Sequence, residues 1–433
     1  MRLCIFLFLF PVLLSGQDLL QSGPMVGYSE MREVLLWVQT TEAADVHIEY
    51  RSKNTPTLQT ATVRTEREHG YIAKLIADEV QPGLTYQYEV CINGQRVKRD
   101  YPMEFQSQAL WMWRTDPPPF RMALGSCTYV NEEQYDRPGN GYGGGYDIFK
   151  SIDRANPDLM LWMGDNMYLR EADWYTRTGY YHRYTHTRSL PEMQPLLART
   201  HHYAVWDDHD YGPNNSDGTW IHKDLAVQTF ADFWGNPTYG MQDVGGIFSR
   251  FQWADTEFFL LDNRYHRTPN ESKDCDCTIL GEQQLDWLIN SLTGSLASFK
   301  FVVLGGQVLN PARVYETYMN LCPKERQYLL GKIELEGIKN VIFLDGDRHH
   351  TELSHYTNNR GNAVYDLTVS PTTAGSGGNR EEPNALRVKD TMVNQRNFAT
   401  IDVSGKFRER TLVIRVYDSA GKELWDYEIE QQK

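Results

Sequence analysis

The stretch Leu159-Met-Leu-Trp-Met-Gly-Asp-Asn-Met-Tyr168 decides the fold of this chain. Its first five residues are an uninterrupted apolar run, which is typical of a buried strand in a parallel sheet. Asp165 and Tyr168 follow directly, at the edge where open α/β sheets build their ligand sites. The stretch therefore predicts an α/β domain with a carboxylate and a phenol side by side at one end of a central strand.

Three other predicted strands end in the same kind of side chain. The segment 122–127 ends in Cys127, 203–210 ends in the block Asp207-Asp-His-Asp210, and 341–350 ends in Asp347 and His349. Each pattern alone is weak, because Asp and Gly are common wherever a strand turns into a loop. Four strand ends with metal-binding side chains in one domain predict a shared metal site.

Composition restricts the class of protein. The chain has 433 residues, 41% hydrophobic and 12% aromatic, and a formal net charge of −14. This length favours more than one domain, and the apolar content is enough for packed cores. A nucleic-acid-binding surface would normally be basic, so the charge argues against one. Composition does not indicate an oligomeric state.

Residues 1–16 are predicted to be a secretory signal peptide. Arg2 precedes the short apolar run Leu3–Leu14, and the small residues Ser15 and Gly16 follow it. This order is typical of a cleaved leader, and the run is shorter than a comfortable transmembrane helix. An anchor that is never cleaved is the alternative. We expect an exported protein (periplasmic, cell-surface or secreted) that is not an integral membrane protein.

Two domains are predicted after the leader. Short strand patterns with turn residues between them indicate a small immunoglobulin- or fibronectin-like β-sandwich over residues 17–115, with a scaffold role. Asp116-Pro-Pro-Pro119 marks the linker. Strands then alternate with helical patterns, which favours an α/β domain over residues 116–433. Helices are expected at 146–155, 225–234, 282–292 and 324–336.

Export would permit disulfides, and the predicted mature chain contains five cysteines. These are Cys91, Cys127, Cys275, Cys277 and Cys322. The number is odd, so at least one has no intramolecular disulfide partner. Cys275 or Cys277 is a candidate to bridge to Cys322. We expect Cys127 to remain free for a metal, and a buried apolar cysteine is the alternative at that position.

The residue types at these strand ends favour two metals. A carboxylate such as Asp165 bridges two cations at the spacing used for hydrolytic displacement, about 3.5–4 Å. A thiolate and a phenolate favour a ferric or similarly Lewis-acidic ion at one position. Carboxylate and amide oxygens favour a harder divalent ion at the other.

The motifs as a set resemble the alkaline phosphatase D (PhoD-like) family of the calcineurin-like metallophosphoesterase superfamily. They are Gly125-Ser-Cys127, Gly164-Asp-Asn-Met-Tyr168, Trp206-Asp-Asp-His-Asp210 with Asn214-Asn215, Leu261-Asp-Asn-Arg264 and Gly346-Asp-Arg-His349. The resemblance covers about residues 120–350. It implies an αββα sandwich, with two mixed sheets flanked by helices, and the preceding β-sandwich suits the family.

The same resemblance implies two sets of metal ligands. The first metal, expected to be Fe³⁺, would be held by Cys127, Asp165, Tyr168 and His349, with Asp165 as the bridge. The second, expected to be Ca²⁺ or another divalent ion, would be held by Asp208, Asp347 and Asn215. Gln307 stands where many superfamily members have a metal-binding histidine, which supports an oxygen-rich second site.

Two further residues are predicted to act on the substrate. His209 would be the general acid or an electrostatic partner of the leaving oxygen, and a hydrogen-bonded structural histidine is the alternative. Arg264 would clamp the substrate phosphate, and a salt bridge to Asp262 or Asp210 is the alternative.

The predicted function is an exported metal-dependent phosphohydrolase, either a phosphodiesterase or an alkaline phosphatase, that uses a hydroxide held by the metals. A phospholipase D-like or teichoic-acid-type phosphodiesterase, acting on lipid or polymer, is the alternative within enzymes. A non-catalytic cell-surface binding protein on a phosphatase fold is a more remote alternative, which predicts the loss of ligands.

Overall fold

The computed structural model describes residues 16–53, 55–139, 141–273, 276–377 and 382–433. The predicted signal peptide, apart from Gly16, lies outside the described residues, and so does Cys275. Cys91, Cys127, Cys277 and Cys322 are free thiols in this structure.

The strands of the described chain are β1 Leu20–Ser29, β2 Val34–Thr40, β3 Asp45–Arg51, β4 Leu58–Gln59, β5 Val63–Arg64, β6 Ile72–Ala77, β7 Thr85–Ile92, β8 Gln95–Arg96, β9 Glu104–Gln106, β10 Phe120–Gly125, β11 Leu159–Met163, β12 His201–Val205, β13 Ser249–Trp253, β14 Thr256–Leu260, β15 Lys300–Val303, β16 Val341–Asp345, β17 Glu352–Thr357, β18 Ala363–Thr368, β19 Asn397–Lys406, β20 Glu409–Asp418 and β21 Glu423–Glu430.

The α-helices are α1 Gly16–Leu19, α2 Ile148–Arg154, α3 Arg177–Arg188, α4 Gln194–Arg199, α5 Asp208–Tyr211, α6 Lys223–Phe233, α7 Glu282–Gly294, α8 Tyr318–Leu321 and α9 Pro323–Leu335. Short 3₁₀ turns lie at Arg67–His69 and Pro191–Met193. The four helices predicted from the sequence are confirmed as α2, α6, α7 and α9, with small shifts at their ends.

The largest sheet has nine strands in the order β21-β20-β19-β10-β11-β12-β1-β2-β6. Its centre is formed by β10, β11 and β12, which pair in parallel. β11 and β12 are buried along their whole length, as expected for strands covered on both faces. Because the three strands are parallel, their carboxyl ends lie at one edge of the sheet.

A six-stranded sheet, β13-β14-β15-β16-β18-β17, packs against the first. Residues of β15 alternate between two hydrophobic cores. Phe301 and Val303 belong to the core that contains Leu161 of β11. Val302, between them, packs in a second core with Leu288 of α7. Successive strand residues face opposite sides, so β15 lies between a sheet and a helical layer. Helix, sheet, sheet and helix form the expected αββα sandwich.

The N-terminal β-sandwich is also confirmed, but it shares a sheet with the α/β domain. A third sheet, in which β4, β3, β7 and β8 are joined by β5 and β9, packs on β1, β2 and β6. Those three strands extend the nine-stranded sheet through the parallel pairing of Val26 with His201. The domain boundary at 115/116 stays a prediction, and main-chain pairing crosses it.

Candidate metal centre and active site

The candidate site lies where four strand ends meet. Residues after β10, β11 and β12 come from the nine-stranded sheet, and those after β16 come from the six-stranded sheet. Main-chain bonds connect neighbouring ends: Cys127 N donates to Gly164 O at 3.2 Å, and Thr128 N donates to Asp165 O at 2.7 Å. The two packed sheets thus bring segments more than 200 residues apart in sequence to one place.

The backbone at this place adopts a rarely populated conformation. Five of the seven predicted metal ligands have left-handed φ values between 51° and 63°: Cys127, Asp165, Asn215, Asp347 and His349. Non-glycine residues adopt such values infrequently, and they persist only where surrounding structure holds them. Strain of this kind clusters at functional sites, and here it falls on the residues selected by their chemistry.

The first donor group contains Cys127, Asp165 and His349, whose ligand atoms lie within 4.8 Å of one another. The Tyr168 hydroxyl lies 3.3 Å from His349 Nε2. His349 Nδ1 lies 2.5 Å from the carbonyl oxygen of Gly375, which only accepts, so Nδ1 carries the proton. Nε2, the ring nitrogen beside the Tyr168 hydroxyl, then keeps its lone pair free, as a metal-binding histidine requires.

The second donor group contains Asp165 again, with Asp208 and His209, within 4.8 Å. Asp208 Oδ2 accepts from the Asn215 N–H at 2.6 Å. Within the described parts of the chain, Asp208 Oδ1 and Asp347 Oδ2 are buried oxygens without a hydrogen-bond partner. Asp165 belongs to both groups, which is the position that a bridging ligand must have.

Electrostatics at the site favour cations. Burial, together with Asp208, raises the pKa of the Asp165 carboxyl well above its usual range. Burial and Asp165 likewise raise the pKa of the Cys127 thiol and of the Tyr168 phenol. These groups cannot all be ionised together without compensating positive charge, which bound metal ions would supply. The donor set therefore fits two multivalent metal ions.

Asn215 lies beside the second group, and His209 is one of its members. The Asn215 side-chain oxygen accepts from the hydroxyl of Tyr315 at 2.6 Å, so Tyr315 orients the amide. The half-buried His209 ring stacks on Tyr168, with centroids 4.3 Å apart. Its backbone N–H donates to Asp165 Oδ1 at 3.3 Å. The assignments of Asn215 as a metal ligand and of His209 as the general acid stay predictions.

Arg264 lies inside an ion-pair network. Its guanidinium is 1% exposed, and Nε donates to Asp207 Oδ1 at 2.5 Å. Nη2 lies 3.6 Å from Glu316 Oε2. The alternative partners Asp262 and Asp210 are wrong for the guanidinium: the group of Arg264 that donates to Asp262 is its backbone N–H, not its side chain. Asp210 instead accepts from backbone N–H groups, including that of Asn166.

Several residues at the site were missed by sequence reasoning. Glu316 joins Arg264 to Arg267, whose Nη2 lies 2.7 Å from Glu316 Oε2. Glu316 lies in an irregular loop between β15 and α8, where no local pattern indicates its role. Tyr142, in the glycine-rich segment 139–145, places its hydroxyl 3.1 Å from His349 Nδ1. Glu316 and Tyr142 are therefore identified only by their contacts with other residues of the site.

Gln307 is buried, and its side chain bonds residues that belong to neither donor group. Its amide nitrogen donates to Glu352 Oε1 at 2.8 Å and to Thr368 Oγ1 at 2.9 Å. Its side-chain oxygen accepts from Asn310 Nδ2 at 3.0 Å. All of its hydrogen-bonding atoms are therefore engaged in a protein network.

Two packed mixed sheets between helices, with metal-binding side chains at their facing ends, define a metallophosphoesterase-like fold. The chain belongs to the PhoD-like phosphatase family, whose family model matches residues 122–410. A second family model, of a domain of unknown function called DUF7800, matches residues 17–110.

Known proteins similar to this chain agree with that assignment. Alkaline phosphatase D of Bacillus subtilis strain 168 is 22% identical over 365 residues, 71% of this chain and 59% of that relative's length. A solved structure of PhoD superposes with a TM-score of 0.78 at 15% identity and covers 96% of this chain and 93% of its own. The purple acid phosphatase PPD1 of yellow lupin (Lupinus luteus) gives 0.68 at 12% identity, over 94% and 74%.

No helix in residues 16–433, outside the gaps given above, is long and apolar enough to cross a membrane.

Gly164 provides a test of the backbone geometry. It has φ +89°, and a β-carbon there would lie 2.8 Å from Asp207 Cβ. We expect Gly164→Ala to lower the free energy of unfolding by about 2–4 kcal/mol, because backbone strain and overpacking add. Gly94→Ala is the matched control: φ is +75°, and a β-carbon meets nothing within 4 Å. Equal losses in urea denaturation of the two variants would contradict the packing argument.

Proposed function

We propose that this protein is an exported, metal-dependent phosphohydrolase that cleaves phosphate esters at the site formed by the four strand ends. The observation that carries the proposal is the position of Asp165, whose carboxylate belongs to two separate groups of metal-binding atoms. Export rests on the predicted signal peptide. Family membership supports the reaction class.

Two sets of ligands, each built around one of the donor groups, would suit different metals. Cys127, Asp165, Tyr168 and His349 would hold Fe³⁺, since thiolate and phenolate favour a strongly Lewis-acidic ion. Asp165, Asp208, Asp347 and Asn215 would hold Ca²⁺ or another divalent ion through oxygens. When bound, such a pair supplies a hydroxide nucleophile at neutral pH and stabilises negative charge that develops on phosphorus.

The surrounding side chains orient the donors and handle the proton. The Gly375 carbonyl oxygen accepts a hydrogen bond from His349 Nδ1–H, which leaves Nε2 free as a ligand. His209 is the group we assign to protonate the leaving oxygen, since its imidazole lies beside Asp165 and Asp208. Arg264 holds Asp207 and lies 4.0 Å from Asp208 Oδ1, so we assign it first to positioning the second donor group.

The substrate class is a phosphate ester, and the choice between mono- and diester is part of the proposal's test. This chain spans 59% of the length of alkaline phosphatase D, so that protein's activity does not transfer as a whole. No contact in the described residues favours a lipid or polymer substrate. A non-catalytic binding protein would be expected to have lost ligands, whereas every predicted ligand is present.

Metal content and colour test the proposal. We expect the purified protein to contain iron and to show a visible phenolate-to-iron absorption band. Dialysis against a chelator should abolish the band together with turnover of bis-p-nitrophenyl phosphate and p-nitrophenyl phosphate. Iron-free protein without the band would refute the ferric assignment, and full turnover after complete metal removal would refute the mechanism.

Tyr168→Phe identifies the phenolate. We expect this variant to lose the visible band, because the band needs a phenolate oxygen on iron. Tyr129→Phe is the control: its ring lies 5.0 Å from that of Tyr168, but its hydroxyl donates to Asp136. Persistence of the band in Tyr168→Phe would assign the phenolate elsewhere.

A further inference from the structure

A second cluster of metal-binding side chains lies on the outer face of the N-terminal sandwich, away from the catalytic site. In the antiparallel pair of β3 and β7, His47 lies opposite Cys91, and Glu49 lies opposite Glu89. The alternate residue Ile48 is buried in the sandwich core. Because successive residues of a strand face opposite sides, all four polar side chains share the outer face.

These side chains converge. Ligand atoms of His47, Glu49 and Cys91 lie within 4.8 Å of one another. Directly opposed like charges such as Glu49 and Glu89 destabilise a strand pair unless a cation lies between them. The cation present is Arg96 on β8, whose Nη2 lies 2.5 Å from Glu49 Oε2 and whose Nε lies 3.3 Å from Glu89 Oε2.

We propose that this face is a zinc site formed by His47, Glu49 and Cys91, with Glu89 as the fourth ligand. Thiolate, imidazole and carboxylate are the ligand types that Zn²⁺ prefers, and four protein ligands are typical of structural zinc. The thiol proton of Cys91 is released to solvent on binding. Arg96, whose side chain is 60% exposed, leaves the two glutamates and turns into solvent.

The arrangement explains why a nearly fully buried cysteine lies on a polar sheet face beside a histidine. Cys91 is 2% exposed, yet its cross-strand neighbours are His47 and Arg96 rather than apolar residues. The site lies within the segment matched by DUF7800, a domain of unknown function. A metal here would join adjacent strands of the third sheet and does not depend on the proposed catalytic metals.

Zinc binding by the full-length, metal-stripped protein tests the proposal. We expect Cys91→Ser and His47→Gln to bind one equivalent of Zn²⁺ fewer than the unaltered protein, or to bind that equivalent on the order of tenfold or more weakly. Cys322→Ser is the control and should retain it. Turnover of bis-p-nitrophenyl phosphate by the iron-loaded protein should be unchanged in both test variants, because neither residue lies at the catalytic site.

Arg96→Gln gives a result that a merely structural role would not produce. Removing the competing cation should tighten binding of this equivalent of Zn²⁺. With Co²⁺ in place of Zn²⁺, the thiolate-to-cobalt absorption that is lost in Cys91→Ser should appear at lower metal concentration in Arg96→Gln. Unchanged stoichiometry and affinity in Cys91→Ser and His47→Gln, or weaker binding in Arg96→Gln, would overturn the proposal. If Cys91→Ser fails to fold, His47→Gln and Arg96→Gln decide the question.

Discussion

Replacing Asp165 with asparagine is expected to lower kcat for bis-p-nitrophenyl phosphate by on the order of 10³-fold or more. Asparagine keeps the shape of the side chain but removes its charge and one of its two anionic donor atoms. Asp165 is 1% exposed and belongs to both donor groups. Loss of this carboxylate should therefore weaken the binding of both metals at once. The measurement is kcat together with metal content of the same sample.

Asp153→Asn is the matched control for the loss of one carboxylate. Asp153 forms a partly exposed pair with Arg199, at 2.6 Å, outside both donor groups. We expect its kcat and metal content to match those of the unaltered protein. Intact turnover in Asp165→Asn, with p-nitrophenyl phosphate or its diester, would refute the assignment of the whole site.

Removal of the Arg264 guanidinium is expected to have the largest effect on stability. Arg264→Met should lower the free energy of unfolding by about 3–5 kcal/mol, because it leaves Asp207 and Glu316 buried with less compensating charge. Asp207 is 0% exposed and receives the Arg264 Nε–H. Urea denaturation of the metal-free protein measures the change without a contribution from bound metals.

Arg64→Met is the control, because it removes the same kind of side chain from an exposed ion pair. Arg64 and Asp45 form an ion pair at 3.1 Å, with side chains 57% and 53% exposed. Solvent screening limits such a pair to about 1 kcal/mol or less. A small loss in Arg264→Met, equal to that of Arg64→Met, would contradict the structural role. An increased KM with unchanged stability would instead favour the phosphate clamp.

Local patterns predicted the elements that have strong periodicity. α7 begins at the predicted residue and ends within a few residues of the predicted position, because Leu285, Leu288, Ile289 and Leu292 recur at helical spacing. The joining of the sandwich to the nine-stranded sheet was not predicted. That joining depends on the pairing of β1 with β12. The apolar pattern of a strand predicts that it is buried, but it does not predict which strand pairs with it.

The candidate ligands could be predicted from the sequence because they too follow from local patterns. Asp165 and Asp347 each follow a buried apolar run, and the position after a strand is a local property. The ion-pair partner of Arg264 could not be predicted from the sequence. Asp262, one of the expected partners, is two residues away, whereas the observed partner, Asp207, is 57 residues away. Glu316 likewise has no flanking pattern and is identified by its contacts with Arg264 and Arg267.

The sequence by itself determined the α/β character of the large domain, the strand ends that carry donors and the types of metal those donors favour. These features follow from side-chain chemistry and hydrophobic period, which are local. Only the tertiary structure decided that β16 of one sheet meets β11 of the other, that Glu316 joins Arg264 to Arg267 and that Asp207 binds the Arg264 guanidinium. The physical reason is that packing of the two sheets, rather than any single segment, brings these distant atoms within contact distance.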